Sequence, residues 1–163
     1  MRASIGLVLA SASPARLATL RAAGIEPVVR VSQVDEEAAV ATARAATPDL
    51  NAADVALLLA QAKAHDVAAT HRDTETAFDL VLGCDSVLEI DGDVHGKPAT
   101  PEEAIDRWRR MRGRSGVLHT GHWLIDERPP ERDGTRGAVG ATASTTVFFA
   151  HLTDAEIESY VAT

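Results

Sequence analysis

One stretch in the middle of the chain constrains its fold more than any other: Asp79-Leu-Val-Leu-Gly-Cys-Asp-Ser-Val-Leu-Glu-Ile-Asp-Gly-Asp-Val-His-Gly-Lys-Pro98. Leu80 to Cys84 is a short apolar run and reads as a buried strand. Asp85 stands where that run breaks, at the strand end. A second run, Val87 to Ile90, leads into Asp91-Gly92, a strong hairpin signal. Gly96, Lys97 and Pro98 follow. An acid at a strand end and a lysine across a hairpin suit a site for a metal and a phosphate.

Strand and helix signals alternate along the rest of the chain. Leu7 to Ala10 is an apolar strand run, followed by the small-residue loop Ser11-Ala-Ser13. Ser13 is a good N-cap, Pro14 is favoured at the first helical position, and Gly24 is a stop signal. A second strand lies within Ile25 to Val31, and Ser32 to Glu37 is polar and reads as a loop. Val55, Leu58, Leu59 and Ala62 have helical spacing, which predicts a helix from about Asn51 to Thr70. Thr100-Pro-Glu-Glu103 and Thr153-Asp-Ala-Glu156 are capping boxes that open two more helices. Val117 to Ile125 and Ala141 to Phe149 read as strands, with a polar surface loop over Glu127 to Ala138. The class is α/β.

Composition excludes several functions. A formal net charge of −8 argues against a general binder of nucleic acid or of anionic membranes. No apolar stretch approaches the roughly 20 residues of a membrane span. Met1 to Ala10 superficially resembles a signal peptide, but its apolar part runs straight into a helix start, so it reads as a first strand. The one cysteine, Cys84, has no partner for an internal disulfide, and a reducing cytoplasm is the natural setting.

Lysine is scarce: of 16 Lys and Arg residues, only Lys63 and Lys97 are lysine. A compact ammonium on a slim stem does a different task from a planar guanidinium. Both lysines are therefore candidate phosphate contacts. The junction Ser11-Ala-Ser-Pro-Ala-Arg16 joins a strand to a helix N-terminus, where backbone N–H groups and the helix dipole favour anions. Ser11 and Ser13 add hydroxyls there and Arg16 a fixed positive charge. Asp85 suits a metal ligand, a general base or both. Glu36, in the polar loop after the second strand, is the best second carboxylate for Mg²⁺, which takes its remaining ligands from water and phosphate. Alternation turns Cys84 away from the Asp85 face, as expected of a buried structural thiol. His119 and His122, three apart on a strand, face opposite sides and are not a chelating pair. The basic run Arg107 to Arg114 spreads around a helix beside Glu103 and Asp106, a solvated, salt-bridged face with Trp108 and Met111 turned inward.

With these residues placed, the chain resembles the Maf family of nucleoside triphosphate pyrophosphatases. The matching pieces are Leu9-Ala-Ser-Ala-Ser-Pro-Ala-Arg16, Val34-Asp-Glu36, Gln61-Ala-Lys63-Ala, Gly83-Cys-Asp85-Ser, Asp91-Gly, Gly96-Lys97-Pro98, Gly113-Arg, Thr120-Gly121 and Leu152 to Tyr160. The resemblance implies an ITPase-like fold: an elongated, twisted mixed sheet flanked by helices, with a cleft between two lobes. It implies hydrolysis of a nucleoside triphosphate to monophosphate and pyrophosphate with a divalent cation, Mg²⁺ or Mn²⁺, in nucleotide-pool housekeeping, and often a homodimer. The alternative is a nucleotide-binding interaction protein acting on septum formation without turnover. Asp85 matches the proton-accepting aspartate; Ser11, Arg16, Lys63 and Lys97 match phosphate-contacting positions; Glu36 matches the acid near the metal. Members acting on dTTP and UTP carry arginine at the position of Ala15 and threonine at that of Ser86. Members acting on 7-methyl-GTP carry tryptophan and glutamine there. Ala15 and Ser86 fit neither set, so base preference stays open. Family members continue with Gly-Glu-Pro and Ala-Gly-x-Tyr-x-x-Gln-Gly segments that nothing here matches. The expectation is therefore one Maf-like domain over 1–163, shortened at its C-terminal end.

Overall fold

Strand β1, Leu7–Ala10, is the short apolar run at the start of the chain, and three of its four residues are buried. It belongs to a computed structural model that describes residues 5–70, 78–95 and 98–163. Ser13 caps helix α1, Pro14–Ala22, with Pro14 in its first turn. Gly24 follows in the left-handed region at φ 78°, where glycine has no Cβ penalty. Strand β2 is only Val28–Val29, shorter than the run from Ile25 to Val31 allowed.

The polar stretch after β2 is not all loop. Helix α2, Glu36–Ala46, starts inside it, with the Asp35 carboxylate accepting from Ala38 N and two glutamates in the first turn. Helix α3, Ala52–Thr70, then crosses the sheet. Strand β3 spans Leu80–Ile90 without interruption, so the two apolar runs form one strand and Asp85 lies in its middle, not at its end. The expected hairpin follows. Asp91 and Gly92 both have positive φ, 54° and 86°, as a type I′ turn requires, and strand β4, Asp93–His95, returns along β3.

Helix α4, Pro101–Met111, is capped by Thr100, while Glu103 accepts from Ala99 N and not from the cap residue itself. Strands β5, Ser115–Asp126, and β6, Ala138–Phe148, flank a short 3₁₀ turn, Pro130–Arg132. Helix α5, Asp154–Val161, carries a complete capping box between Thr153 and Glu156. The basic run of α4 is paired with the expected Glu103 and Asp106 and also with acids of α5, and Arg107 is largely buried rather than solvated. Arg107 pairs with Glu103, Arg109 with Asp106, Asp154 and Glu158, and Arg112 with Asp154. Trp108 packs edge-on against Phe149 and Tyr160.

The sheet order is β2-β1-β3-β5-β6, with β4 also on β3. β1 is parallel to both neighbours; all other pairs are antiparallel. The mixed sheet with helices on it is the fold the resemblance implied. β5 pairs one edge of β3 from Leu80 to Glu89. The other edge is shared: β1 pairs Leu80 to Gly83 and β4 pairs Leu88 to Ile90. Cys84 to Val87 thus have no strand partner on that edge among the described residues. The chain order β1–β2–β3 also reverses direction across β1. Ligands of open α/β sheets bind at such switch points, outside the strand C-termini.

Helix α3 lies almost directly on the sheet. A Cβ at Gly83 would collide with the Ala60 carbonyl oxygen, and one at Gly121 with the Ala56 carbonyl oxygen. Alanines on the helix and glycines on the strands remove the side-chain layer that normally separates them. On this face Val8, Ala10, Val67, Val81 and Ile125 form one buried cluster; Val55, Leu59 and Val87 form another, joined by Ala39 and Val40 of α2. Gly83→Ala should therefore push α3 off the sheet and destabilise the protein by about 1–3 kcal/mol, the usual cost of overpacking. A lowered urea midpoint at unchanged m-value is the expected result.

Candidate active site

Ser11 is the first residue after β1, and its side chain is buried. Its Oγ accepts from Ser13 N at 3.3 Å and from Arg16 Nη1 at 2.8 Å. Ser13 Oγ accepts from Arg16 N at 3.4 Å, which is the N-cap bond of α1. The Arg16 side chain then turns across the end of β1 into the open edge of β3. Nη1 donates to the Cys84 carbonyl at 2.9 Å and Nη2 to Ser86 Oγ at 3.0 Å. A guanidinium thus fills the place of a missing strand. Its hydrogen-bond acceptors are all neutral, so its charge stays available to an incoming anion.

Asp85 lies between the two β3 residues that hold Arg16, and its side chain points to the α3 face. Lys63 Nζ donates to Asp85 Oδ1 at 2.6 Å and lies 2.7 Å from Glu36 Oε1. Lys63 and Asp85 are mostly buried, with side chains 12% and 10% exposed, while Glu36 is half exposed at 53%. One ammonium therefore joins two carboxylates from distant segments. Gly83 and Gly121 make this possible, because they let α3 approach closely enough for the Lys63 stem to reach Asp85.

Burial raises the Asp85 carboxyl above the ordinary aspartate range, and the Lys63 hydrogen bond and charge oppose that rise. Burial pulls Lys63 downward, but hydrogen bonds to Asp85 and Glu36, with their charges, outweigh it and hold the ammonium above its usual value. A carboxyl with raised proton affinity beside two cations has the setting of a general base.

Of the sequence-derived candidates, Ser11, Ser13, Arg16, Lys63, Asp85, Glu36 and Ser86 come together here. Glu36 arrives from the first turn of a helix and not from a loop. Ala15 is exposed in the first turn of α1. Lys97 lies outside the described residues. Thr120, seen in the sequence only as part of a Thr-Gly pair, also belongs to this group: its Oγ1 is 3.0 Å from Ser86 Oγ. The register of β3 on β5 places it there, and no local signal shows that register.

Cys84 is buried, with its thiol pushed up chiefly by that burial. His119 lies between Glu89 Oε2 at 3.0 Å and Ser144 Oγ at 2.8 Å, while His122 is exposed, so the two do not chelate together. A cavity of about 540 Å³ beside Arg44, Asn51, Glu89 and His95 includes none of the candidate residues.

The donor set fits a divalent cation of a particular kind. No cluster of three or more His, Cys, Asp or Glu side chains suited to a metal occurs among the described residues. Asp85 and Glu36 supply two carboxylates within reach of one lysine nitrogen. That matches Mg²⁺, which is usually held by one or two carboxylates and completed by water and substrate phosphates.

A family described as Maf-like protein matches residues 6–163. Among curated relatives, a nucleoside triphosphate pyrophosphatase of Leifsonia xyli subsp. xyli is 56% identical over 156 residues, covering 96% of this chain and 71% of the relative. One of Salinispora tropica is 54% identical over 157 residues, covering 96% and 63%. One of the more distant Gloeothece citriformis is 45% identical over 159 residues, covering 98% and 71%. The chain thus spans 63–71% of the length of these three relatives.

Lys63→Met would remove the hydrogen bond and the charge that hold Asp85 down. The Asp85 carboxyl should then titrate at higher pH than in the parent protein, measured by the ¹³C shift of its side-chain carboxyl. An unchanged titration would show that the ammonium does not set the carboxyl's proton affinity.

Proposed function

This chain belongs to the Maf-like family, and from that membership we propose that it is a nucleoside triphosphate pyrophosphatase that releases pyrophosphate and a nucleoside monophosphate. The observation that carries this reading is the convergence of Asp85, Lys63 and Glu36 beside the Arg16 guanidinium, at the switch point of the sheet. A buried Lys63–Asp85 pair set beside an oriented guanidinium favours turnover over binding alone.

The triphosphate lies across the end of β1. The N-terminus of α1, the Ser11 and Ser13 hydroxyls and the Arg16 guanidinium receive phosphate oxygens. Asp85 accepts a proton from the water that attacks the α-phosphorus. Attack forms the new P–O bond, and the bond to the bridging oxygen breaks, so pyrophosphate departs with that electron pair. Lys63 spreads the negative charge that develops on the equatorial and leaving oxygens. Asp85 and Glu36 would hold the divalent cation, Mg²⁺ or Mn²⁺, which when bound neutralises phosphate charge and orients the leaving group. Lys97 adds a further phosphate contact in this scheme on the strength of the family resemblance.

No helix among the described residues is long and apolar enough to cross a membrane. The buried free thiol and the nucleotide-pool role suit the cytoplasm. The 11-residue strand β6 carries no charge and has a free edge among the described residues, which suits pairing with a second copy in a homodimer. Base preference turns on Ala15 and Ser86: the first leaves open space at the α1 start, and the second is held by Arg16.

Pyrophosphate release over a panel of natural and modified nucleoside triphosphates, with and without Mg²⁺ or Mn²⁺, tests the reading. Turnover should require the cation and stop with EDTA. Asp85→Asn should lower kcat by about 10²- to 10⁴-fold, the usual contribution of a general base, with an unchanged circular dichroism spectrum. A fully active Asp85→Asn variant would refute the assignment.

A further inference from the structure

We propose that Thr120 is a positioning residue for the phosphate-binding Arg16, acting through the Ser86 hydroxyl; the inference rests on the pyrophosphatase reading. The register pairs Ser86 with Thr120 and Asp85 with Gly121. Adjacent residues of β5 thereby serve the two faces of the site. Gly121 allows α3 to close on the sheet and bring Lys63 to Asp85. Thr120, on the other face, touches the hydroxyl that anchors Arg16.

Arginine has five N–H donors and no acceptor. Three of them are committed: two on Nη1, to Ser11 Oγ and the Cys84 carbonyl, and one on Nη2, to Ser86 Oγ. Among the described residues, Nε and the second Nη2 hydrogen have no acceptor and remain for phosphate. Their direction is set by the three anchors. Two anchors, a backbone carbonyl and the buried Ser11 hydroxyl, hold Nη1. Ser86 is the only one of the three on Nη2, so it steadies the nitrogen that presents the remaining hydrogen.

A serine hydroxyl rotates among three staggered positions. It steadies Nη2 only if it is held itself. Because arginine can only donate, Ser86 Oγ accepts from it, and Thr120 Oγ1 at 3.0 Å is the second partner that fixes the rotor. Threonine is suited to the task, since its branched Cβ restricts χ1. The connected path Ser11–Arg16–Ser86–Thr120 ties the end of β1 to β3 and β5.

The test compares Thr120→Val, Thr120→Ser, Ser86→Ala and the double variant Ser86→Ala/Thr120→Val, by steady-state kinetics and by calorimetric binding of inorganic tripolyphosphate. Thr120→Val should raise KM and weaken tripolyphosphate binding by about five-fold, the worth of one ordinary hydrogen bond, while kcat changes less than about two-fold. Thr120→Ser keeps the hydroxyl and should restore both. The double variant should be no weaker than Ser86→Ala alone, because the two residues act in series. Parental tripolyphosphate binding in Thr120→Val, no rescue by serine, or multiplicative effects in the double variant would each overturn the proposal. Should the valine variant fail to fold, judged by its urea midpoint, Thr120→Ala carries the same comparison. A parent protein that binds tripolyphosphate but releases no pyrophosphate would sink the enzymatic reading while leaving the positioning role open to the binding arm.

Discussion

Among the described residues, strand β3 has an unbroken ladder from Leu80 to Glu89 on one edge and an interrupted ladder on the other, and the site depends on that interruption. β1 stops at the partner of Gly83, and the described part of β4 ends at the partner of Leu88. Backbone carbonyls in a sheet interior are normally consumed by a neighbouring strand. Here the Cys84 carbonyl is left for a side chain, and Arg16 takes it at 2.9 Å. Had β1 run two residues farther, it would have covered this edge and displaced the guanidinium.

The open edge alone would not make a catalytic arrangement. A carboxylate as buried as Asp85 is costly unless paired. Its partner comes from α3, and the pairing depends on the helix lying unusually close to the sheet. Gly83 and Gly121 lack the Cβ atoms that would hold α3 away, and the alanines of α3 carry nothing beyond a single methyl on the other side. Packing of small residues against backbone thus becomes a geometric requirement for the Lys63–Asp85 contact. The first turn of α2 then brings Glu36 to the exposed side of Lys63, leaving the ammonium with one buried and one solvent-facing acid.

Much of this was legible in the chain, and the parts that were not share a cause. The Asp91-Gly92 turn, the Ser13-Pro14 helix start and the Thr153–Glu156 capping box are local chemistry, and each appears as read. The scarcity of lysine singled out Lys63, which lies at 2.6 Å from Asp85. The break of hydrophobicity at Asp85 reads as a strand end, because a sequence shows where apolar residues stop and not where a neighbouring strand stops. β3 continues; its partner ends. Helix α2 hides in a polar stretch because an alanine-rich segment has little apolar periodicity, although Asp35 followed by two glutamates is a helix-start signal. The acids that pair with the α4 arginines come partly from α5, some 45 positions away, and no local spacing rule reaches that far. Thr120 entered only as one half of a motif, since its role depends on register.

The two described cations of the site are held by opposite means, and the difference divides their labour. Lys63 is bound by two carboxylates, so its charge is partly offset before substrate arrives and it also holds those acids in place. Arg16 is bound by a serine hydroxyl, a backbone carbonyl and a second serine hydroxyl, which orient it without neutralising it. In a chain with a formal net charge of −8, an anionic substrate meets a generally repulsive surface. A fixed, uncompensated guanidinium at the N-terminus of α1 gives that substrate its first favourable contact. Its anchors Cys84 and Ser86 flank the carboxyl that must take a proton. The helix-borne cation and the strand-borne base thus meet at one stretch of β3, where the ladder is open among the described residues.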